Sequence, residues 1–480
     1  MVGHSGGSTS AAQQNQAKPD AVKNADIVPM VWLSCGLAAL AGLLFGMDIG
    51  VISGALPFIV KEFHVSTLME GWIVSSMMVG AALGALGAGA ISQRFGRKKA
   101  LMYSSLLFFI GALVAIMATS PHILVVARIL LGLAVGVASF TAPLYLSEVA
   151  PERIRGTTIS FYQLMVTIGI LAAFMSNLAF SYIESWRWMF GVLMIPAAML
   201  FIGVLMVPNS PRWLASRDRF DEAREVLNRL RSSKTEIDYE MGEIEESINA
   251  EQKSRGFQMF KENPNFRRSV MLGICLQLVQ QFTGMNAIMY FAPQIFQMSG
   301  FEGTAAQLWS TVATGLVNVL ATFIAIGFVD RLGRKPILYT GFAVMAASMA
   351  VLASILVIGP TTTFLQYTGM GSLLIFVAGF AMSAGPLIWT LCAEIQPLNG
   401  RDFGLSCSTV ANWVGNFAIG QFFPVMIAVI GGAMTFGILS VLNVVFIIFT
   451  LLLIPETKGI SLEKIEKNLM SGKPLKDIGT

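Results

Sequence analysis

Residues 27–53 read IVPMVWLSCGLAALAGLLFGMDIGVIS, an apolar run whose one charge is the carboxylate of Asp48. A helix of about 20 apolar residues spans the roughly 30 Å hydrocarbon core of a bilayer, so this run is long enough to cross a membrane. An acid near the middle of such a helix costs roughly 2.5 to 3.5 kcal/mol on insertion scales and usually has a function. The stretch therefore predicts a transmembrane helix with a charge or proton pathway.

The whole chain has the composition of a membrane protein. It has 480 residues, of which 55% are hydrophobic and 12% are charged, and its mean hydropathy is +0.68. Twelve apolar stretches, numbered here as segments 1 to 12, lie between Ile27 and Pro455. Segments of about ten residues with alternating hydrophobicity, typical of a membrane β-barrel, are absent. We expect an all-α membrane protein with twelve transmembrane helices.

The placement of Lys and Arg predicts the orientation. With both termini in the cytoplasm, the outer loops contain only Lys61 and Arg187, Arg128 lies within a segment, and the remaining cations face the cytoplasm. Cytoplasmic loops retain positive residues, so this orientation is favoured in a multi-pass protein of the inner membrane. The net charge of +4 reflects the same bias and does not indicate a nucleic-acid partner.

Residues 1–26 are polar and lack the apolar core of a signal peptide, so they are predicted to form a disordered cytoplasmic tail. All four cysteines fall inside apolar segments, where neither a disulfide framework nor a metal cluster fits them; they are Cys35, Cys275, Cys392 and Cys407. No nucleophile and base lie together in a segment. We therefore expect no catalytic residues, no metal site, no cofactor and no enzyme activity.

Two short patterns occur twice in the chain. A basic string follows segments 2 and 8, and an acid seven residues before an arginine follows segments 4 and 10. The two basic strings are Arg94-Phe-Gly-Arg97-Lys98 and Arg331-Leu-Gly-Arg334-Lys335; the two acid and arginine pairs are Glu148 with Arg155 and Glu394 with Arg401. The copies are 237 and 246 residues apart. This spacing predicts two pseudo-symmetric, parallel halves of six helices each.

These repeats set the predicted domain boundaries. The halves cover residues 27–208 and 267–455, a linker covers 209–266, and a cytoplasmic tail covers 456–480. The linker is dense in both charges, and its residues Phe220, Ala223, Leu227 and Leu230 recur at helical spacing. We expect short amphipathic helices on the cytoplasmic surface. They are interpreted as a solvated linker domain, with a regulatory role as the alternative.

Asp48 has one candidate partner. Arg128 is the other charge well inside a segment, and the two residues lie at similar depths from the outer surface, so an ion pair is predicted. Protonation of Asp48 would weaken this pair, which makes it a candidate switch, although a permanent structural ion pair would have the same sequence. The histidines, His4, His64 and His122, lie in the tail or at outer ends and do not compete as proton carriers.

The second half carries amides and aromatic rings instead of charges. The candidates for ligand contact are Gln280, Gln281, Asn286 and Tyr290 in segment 7, Asn318 in segment 8, Trp389 in segment 10, Asn412 in segment 11 and, from the first half, Gln163 in segment 5. Thr283-Gly284 and Gly385-Pro386 are predicted helix interruptions. Amides supply paired donors and acceptors, which suits an uncharged ligand with many hydroxyls, such as a sugar. Each amide alone can instead join two helices.

Five motifs together resemble the sugar porters of the major facilitator superfamily. Besides the two basic strings, the second of which includes Asp330, they are Pro208-Asn-Ser-Pro-Arg212, Gln280-Gln281-Phe-Thr-Gly-Met-Asn286 and Pro455-Glu-Thr-Lys458-Gly. The similarity extends over about residues 27 to 480. Within the family the chain is most similar to bacterial galactose-proton and arabinose-proton symporters.

The resemblance implies a role for each candidate residue. Asp48 would be the proton-coupling acid with Arg128 as its partner. Sugar contacts are implied for Gln163, Gln280, Gln281, Asn286, Asn318, Trp389 and Asn412. A cytoplasmic gate is implied for Arg94, Arg97, Glu148, Arg155, Asp330, Arg331, Arg334, Glu394 and Arg401. Gln93 departs from the family, which usually has an acid there, so we expect the gate of the first half to be held less tightly.

The resemblance thus predicts proton-coupled uptake of a monosaccharide such as galactose, glucose or arabinose by alternating access in a major facilitator fold. The expected partners are the sugar, protons and the lipid bilayer, and the expected state is a monomer. A proton-independent sugar uniporter is the nearest alternative. A sugar sensor that does not transport is a more distant one.

Overall fold

Helices make up the regular structure in the described part of the chain. The computed structural model describes residues 26–250, 256–397 and 400–479, without the side chains of 247–250, 326 and 328–332. Lipid offers no partner to backbone N–H and C=O groups, and a helix satisfies these groups internally. The predicted disordered tail lies, except for its last residue, outside the described residues.

The first half follows the predicted segments 1 to 6. Its helices are α1 Pro29–Phe63, α2 Thr67–Phe95, α3 Arg97–Ile116, α4 Pro121–Val149, α5 Glu152–Ser181, and the broken pair α6 Trp186–Gly191 and α7 Met194–Met206. The hydroxyls of Ser66 and Ser120 accept hydrogen bonds from the first turns of α2 and α4, which satisfies amides that have no partner within the helix. The end of the bundle that is predicted to face the cytoplasm is called the inner end below.

The charged linker forms four short helices, α8 Pro211–Ala215, α9 Phe220–Leu230, α10 Lys234–Ala250 and α11 Gly256–Glu262. In α9, Ala223, Leu227 and Leu230 are buried, as their spacing predicts. Ala223 and Leu227 pack with Trp213 and Ile244 in a small apolar cluster. The linker therefore has an apolar core of its own at the inner end.

The second half contains segments 7 to 12. Its helices are α12 Pro264–Phe282, α13 Met285–Met298, α14 Thr304–Leu332, α15 Arg334–Ile358, α16 Thr363–Met382, α17 Ala384–Glu394 and α18 Arg401–Leu453, followed by α19 Leu462–Met470 and a 3-10 turn at Leu475–Asp477. The 53 residues of α18 exceed two crossings of about 20 residues. A non-helical glycine, Gly431, divides it into segments 11 and 12.

The twelve predicted crossings are all present. The broken helices of segments 6 and 10 are each counted as one helix here. On that count, ten helices of the described chain are long and apolar enough to span a bilayer. The division of α18 at Gly431 adds the eleventh crossing, and α12 with α13 forms the twelfth. The all-helical, twelve-segment fold expected from the sequence is therefore confirmed.

One predicted helix interruption is displaced. The sequence placed the break of segment 10 at Gly385-Pro386, but the non-helical residue is Ser383, with φ −132° and ψ −91°. Pro386 instead lies in the first turn of α17. A proline in a first turn removes an N–H that would have no helical partner, so it is compatible with helix there.

Close packing of α1 on α5 holds Asp48 in position. Gly42, Gly46 and Gly50 face α5, and a Cβ added at Gly46 would lie 1.9 Å from the carbonyl oxygen of Val166. Small residues allow such approach between membrane helices, where packing replaces the hydrophobic effect as the driving force. Asp48 is on another side of α1 and faces away from this contact.

Substituting Gly46 by Ala should destabilise the protein by about 1 to 3 kcal/mol, because the new methyl group forces α1 away from the α5 backbone. A lower unfolding temperature of the purified protein in detergent would show this loss. Gly36→Ala is the matched control, since a Cβ there meets nothing within 4 Å. Equal unfolding temperatures for the two variants would contradict the packing role of Gly46.

Candidate functional site

A buried ion pair joins three helices of the first half. Arg128 of α4 donates a hydrogen bond from Nη1 to Oδ1 of Asp48 in α1, at 2.7 Å, and both side chains are fully buried. The Nε and Nη2 groups of Arg128 donate to the carbonyl oxygens of Ile73 and Val74 in α2, each at 3.3 Å. The two residues predicted to pair are thus in contact, and α2 takes part as well.

The second carboxylate oxygen of Asp48, Oδ2, is buried and has no hydrogen-bond partner in the described part of the chain. A buried acceptor without a donor costs free energy. A proton on Oδ2 would turn it into a donor and would remove the charge that attracts Arg128. The pair therefore has a free position for a proton.

Tyr290 connects this ion pair with the second half. Its side chain is buried, and its hydroxyl donates to Oδ1 of Asn416 in α18 at 3.1 Å. The hydroxyl also lies within electrostatic reach of both Asp48 and Arg128. Tyr290 is therefore near the ion pair of the first half and bonded to an amide of the second half.

The amides of α12 and α18 form a bonded cluster. Asn412 donates from Nδ2 to Oε1 of Gln277 at 2.6 Å and to Oε1 of Gln280 at 2.9 Å. Gln280 in turn donates to the carbonyl oxygens of Ala384 and Gly385, at 2.9 and 3.0 Å. These carbonyls follow the break of segment 10, so the cluster joins α12, α17 and α18. Gln277 was not among the ligand contacts predicted from the sequence.

The break of segment 7 brings two predicted residues together. Gly284 has φ +95°, a left-handed conformation that favours glycine. Across this break Asn286 donates to Oε1 of Gln281 at 2.6 Å, although a regular helix would hold the two side chains far apart. Asn443 of α18 donates to the carbonyl oxygen of Thr283 at 3.2 Å and so satisfies a backbone group next to the break.

Three other candidate residues have no hydrogen bond or ring contact with this cluster in the described structure: Gln163, Asn318 and Trp389. Gln163 is exposed. On the same helix, α5, Val166 packs on α1 and Leu171 packs on α14. Around the axis of α5, Gln163 lies between these two residues, about 60° from Val166 and about 80° from Leu171. Its side chain therefore faces the junction of the two halves. Asn318 is buried, whereas the indole of Trp389 is 42% exposed.

Polar contacts join the halves near their outer ends. Gln294 of α13 donates to Oε1 of Glu70 in α2 at 2.6 Å, and Ser75 of α2 donates to Oε1 of Gln421 in α18 at 2.9 Å. Glu70 and Gln421 were not among the predicted site residues. Glu70 looked like an ordinary helix-end acid in the sequence, and no sequence signal paired Gln421 with α2.

In each half, two of the predicted gate residues with described side chains form an ion pair. Arg97 donates to both oxygens of Glu148, at 2.8 and 2.7 Å, and Arg334 donates to Glu394 at 3.1 Å. The remaining gate residues lie elsewhere: Arg94 is exposed beside the ring of Phe95, Arg155 lies near Glu240 and Glu243, and Arg401 donates to the carbonyl oxygen of Gln396. The side chains of Asp330 and Arg331 are outside the described residues.

The second half has an additional acid at its gate. The carboxylate of Glu456 accepts the backbone N–H groups of Arg334 and Lys335 at the start of α15, each at 3.0 Å. Asn209 stands 247 residues before Glu456, and Gln93 stands 237 residues before Asp330. At both positions the first half has an amide where the second half has an acid. Gln93 contributes its backbone carbonyl, which accepts the indole N–H of Trp213 at 2.8 Å.

Burial alone would raise the pKa of Glu456, but backbone N–H donors and the charge of Arg334 outweigh it and hold the pKa below the ordinary 4.5. A lowered pKa stabilises the folded state above the ordinary value, and this contribution is lost as pH falls through the folded value. Glu456→Gln should therefore cost about 1 kcal/mol at pH 7 and progressively less below pH 4.5.

Unfolding temperatures measured in detergent between pH 4 and pH 7 would check this dependence. Glu302→Gln removes an exposed acid of an outer loop and is the matched control. A deficit for Glu456→Gln that stayed constant across the pH range would contradict the role given to the ionised carboxylate.

The chain is similar to known sugar transporters over most of its length. Residues 34–469 match the family described as "Sugar (and other) transporter". The galactose-proton symporter of Escherichia coli strain K12 is 57% identical over 450 residues, which cover 94% of this chain and 97% of that protein. The arabinose-proton symporter of the same strain is 52% identical over 445 residues, or 92% and 94% of the two chains.

Solved structures of the xylose transporter XylE from E. coli are also similar. The one titled as its inward open conformation has a TM-score of 0.78 at 29% identity and covers 91% of this chain and 99% of that chain. The one titled as the proton:xylose symporter XylE bound to 6-bromo-6-deoxy-D-glucose has a TM-score of 0.74 at 29% identity and covers 93% and 98%.

Proposed function

The chain belongs to the sugar transporter family, and from this membership we propose that it is a proton-coupled monosaccharide symporter of the inner membrane. Its relatives are named as galactose-proton and arabinose-proton symporters. The observation that carries the proposal is the fully buried ion pair of Asp48 and Arg128, in which one carboxylate oxygen has no partner in the described chain. An acid buried in a membrane helix usually marks a proton or ion pathway, which favours proton coupling over a structural ion pair in a uniporter.

The two halves move so that the site opens alternately to each side of the membrane. In this conformation Glu70 and Gln294, and Ser75 and Gln421, join them near the outer end, and Gln163 and Trp389 are exposed closer to the inner end. This arrangement is that of a transporter open to the inside. The TM-score with the inward open xylose transporter, 0.78, agrees with it.

Proton binding controls the change between the two conformations. In the outward-open conformation Asp48 takes up a proton and sugar binds to the amides; in the inward-open conformation the sugar leaves and the proton follows. Tyr290 conveys the state of the ion pair to Asn416. One proton that crosses 100 mV supplies about 2.3 kcal/mol, which sustains roughly a fiftyfold sugar gradient.

The sugar binds by replacing hydrogen bonds between amides. Asn286 bonds to Gln281 and Asn412 to Gln280, and a sugar hydroxyl both donates and accepts, as these amides do. Gln163, Asn318, Tyr290 and Trp389 complete the site from the surrounding helices. The predicted sugar contacts of the second half carry no charge, which favours a neutral monosaccharide, with galactose, glucose and arabinose as the first to test.

The topology follows the positive-inside prediction, with both termini in the cytoplasm. The residues at the inner end act as the gate, and the ion pairs of Arg97 with Glu148 and of Arg334 with Glu394 hold each half in shape as it moves. All of these elements belong to one chain, so the transporting unit is a monomer.

Asp48→Asn should abolish sugar accumulation against a gradient but leave exchange of sugar down its gradient. The amide cannot carry a proton as a carboxylate does, whereas the sugar site remains intact. Uptake and counterflow of labelled galactose in proteoliposomes, with and without an imposed proton gradient, measure the two activities. Accumulation by this variant would refute the assignment of Asp48.

Glu70→Gln is the matched control, because Glu70 is the other acid packed between membrane helices near the outer end. This variant should still accumulate sugar, since the amide can replace the carboxylate as an acceptor for Gln294. If Glu70→Gln lost accumulation while Asp48→Asn kept it, Glu70 would be the proton carrier instead.

Gln280→Ala should raise the dissociation constant for galactose roughly tenfold, because it removes hydrogen bonds to the sugar and the bonds that Gln280 donates to the carbonyl oxygens of Ala384 and Gly385. Titration of the intrinsic tryptophan fluorescence measures this constant. Gln307→Ala, which loses a glutamine at the outer end of α14, should bind as the unmodified protein does. Equal affinities for the two variants would exclude Gln280 from the site.

A further inference from the structure

A groove at the inner end lies between three parts of the chain that have no role in the transport mechanism above. It has a volume of about 410 Å³ and lies between the start of α12, the end of α18 and the 3-10 turn of the C-terminal tail. The tail is held there by Asn265, whose Nδ2 donates to the carbonyl oxygen of Met470 at 3.1 Å. Leu475 of the 3-10 turn lines the groove.

Two adjacent arginines, Arg267 and Arg268, line the inner mouth of the groove. Arg268 is held in place, because it donates to Asn265 at 3.2 Å and to the carbonyl oxygen of Lys473 at 2.9 Å. Arg267 is exposed and makes no side-chain hydrogen bond or ion pair with a described residue. No acidic side chain lines the groove, and none lies in the first turn of α12.

Two cations near the start of α12 are unfavourable, because the helix dipole prefers negative charge there, and the preceding Glu262 is bonded to Gln258. The positive-inside rule explains why arginines lie on this side of the membrane. It does not explain why they lie above an apolar groove. An anion bound at the arginines would compensate both charges and the dipole.

The deeper walls of the groove are apolar. Met271 and Cys275 follow Arg267 on the same face of α12 and lie about 6 and 12 Å further along the helix. Phe449 and Leu453 of α18 form the opposite wall. Met271 and Leu453 are 50% and 42% exposed. The groove therefore runs from two positive charges at the membrane surface into the depth of the hydrocarbon chains.

We propose that this groove binds an anionic phospholipid. The phosphate contacts the guanidinium groups of Arg267 and Arg268, and one acyl chain lies along Met271, Cys275 and Phe449. Basic pockets between helices at the cytoplasmic surface are suited to such headgroups, and a free phosphate would leave the apolar walls unused. The bound lipid joins α12, α18 and the C-terminal tail.

Native mass spectrometry of the full-length protein, titrated with phosphatidylglycerol or phosphatidylcholine in detergent, tests the proposal. We expect one molecule of phosphatidylglycerol to bind to each protein, and to bind more tightly than phosphatidylcholine does. The double variant Arg267→Gln and Arg268→Gln should weaken binding about tenfold or more. The matched control, Lys464→Gln with Lys467→Gln, removes two exposed cations of α19 and should bind as the unmodified protein does.

Cys275→Trp separates a lipid from a phosphate. It fills the apolar part of the groove and leaves both arginines in place, so it should also weaken phosphatidylglycerol binding, while its unfolding temperature without lipid reports intact folding. Four results would each overturn the proposal. They are equal binding of the two lipids, an equal loss of binding in the two double variants, undiminished binding by Cys275→Trp, and displacement of the lipid by millimolar inorganic phosphate. None of these readouts depends on sugar transport.

Discussion

The contact of Arg128 with Asp48 is the interaction on which the rest of the structure depends. Both charges are fully buried, and hydrocarbon provides no partner for either, so the protein itself must compensate them. Arg128 bonds to Asp48 in α1 and to two carbonyl oxygens of α2. A proton on Oδ2 of Asp48 leaves Oδ1 able to accept from Arg128, but it removes the charge that attracts the arginine and so weakens the contact that joins three helices. The proposed proton switch requires such a coupling between one charge and several helices.

The second half meets the same constraint with neutral groups. Helix breaks at Ser383 and at Thr283-Gly284 free backbone groups, and the side chains of Gln280 and Asn443 bond to carbonyl oxygens beside these breaks. Sugar hydroxyls can exchange with such bonds at little cost, because each amide finds an equivalent partner. In the proposed mechanism the proton site and the sugar site are therefore chemically separate, and Tyr290 is both bonded to Asn416 and near the ion pair.

Much of this arrangement follows from the sequence because lipid imposes strict rules. Helix length follows from bilayer thickness, the doubled motifs reveal the two halves, and equal depth paired Asp48 with Arg128. Contacts that depend on the rotation and tilt of helices distant in sequence were not predictable. Asn443 bonds to Thr283 from 160 residues away, and Gln421 bonds to Ser75 from 346 residues away. The break at Ser383 was misplaced because proline was taken as the interruption, although a first turn accommodates it. The weaker gate expected for the first half rests on Gln93 and stays a prediction; the bonds of Glu456 to the start of α15 were not foreseen from the sequence.

The central claim is that a sugar and a proton cross the membrane together, and sugar-induced alkalinisation tests it most directly. Galactose is added to de-energised cells that express the chain, in a weakly buffered medium without a proton gradient, while the external pH is recorded. Entry of sugar with protons predicts a transient rise in external pH, abolished by a protonophore. Sugar entry without any pH change would contradict the account, leaving Asp48 and Arg128 as a permanent structural ion pair in a uniporter.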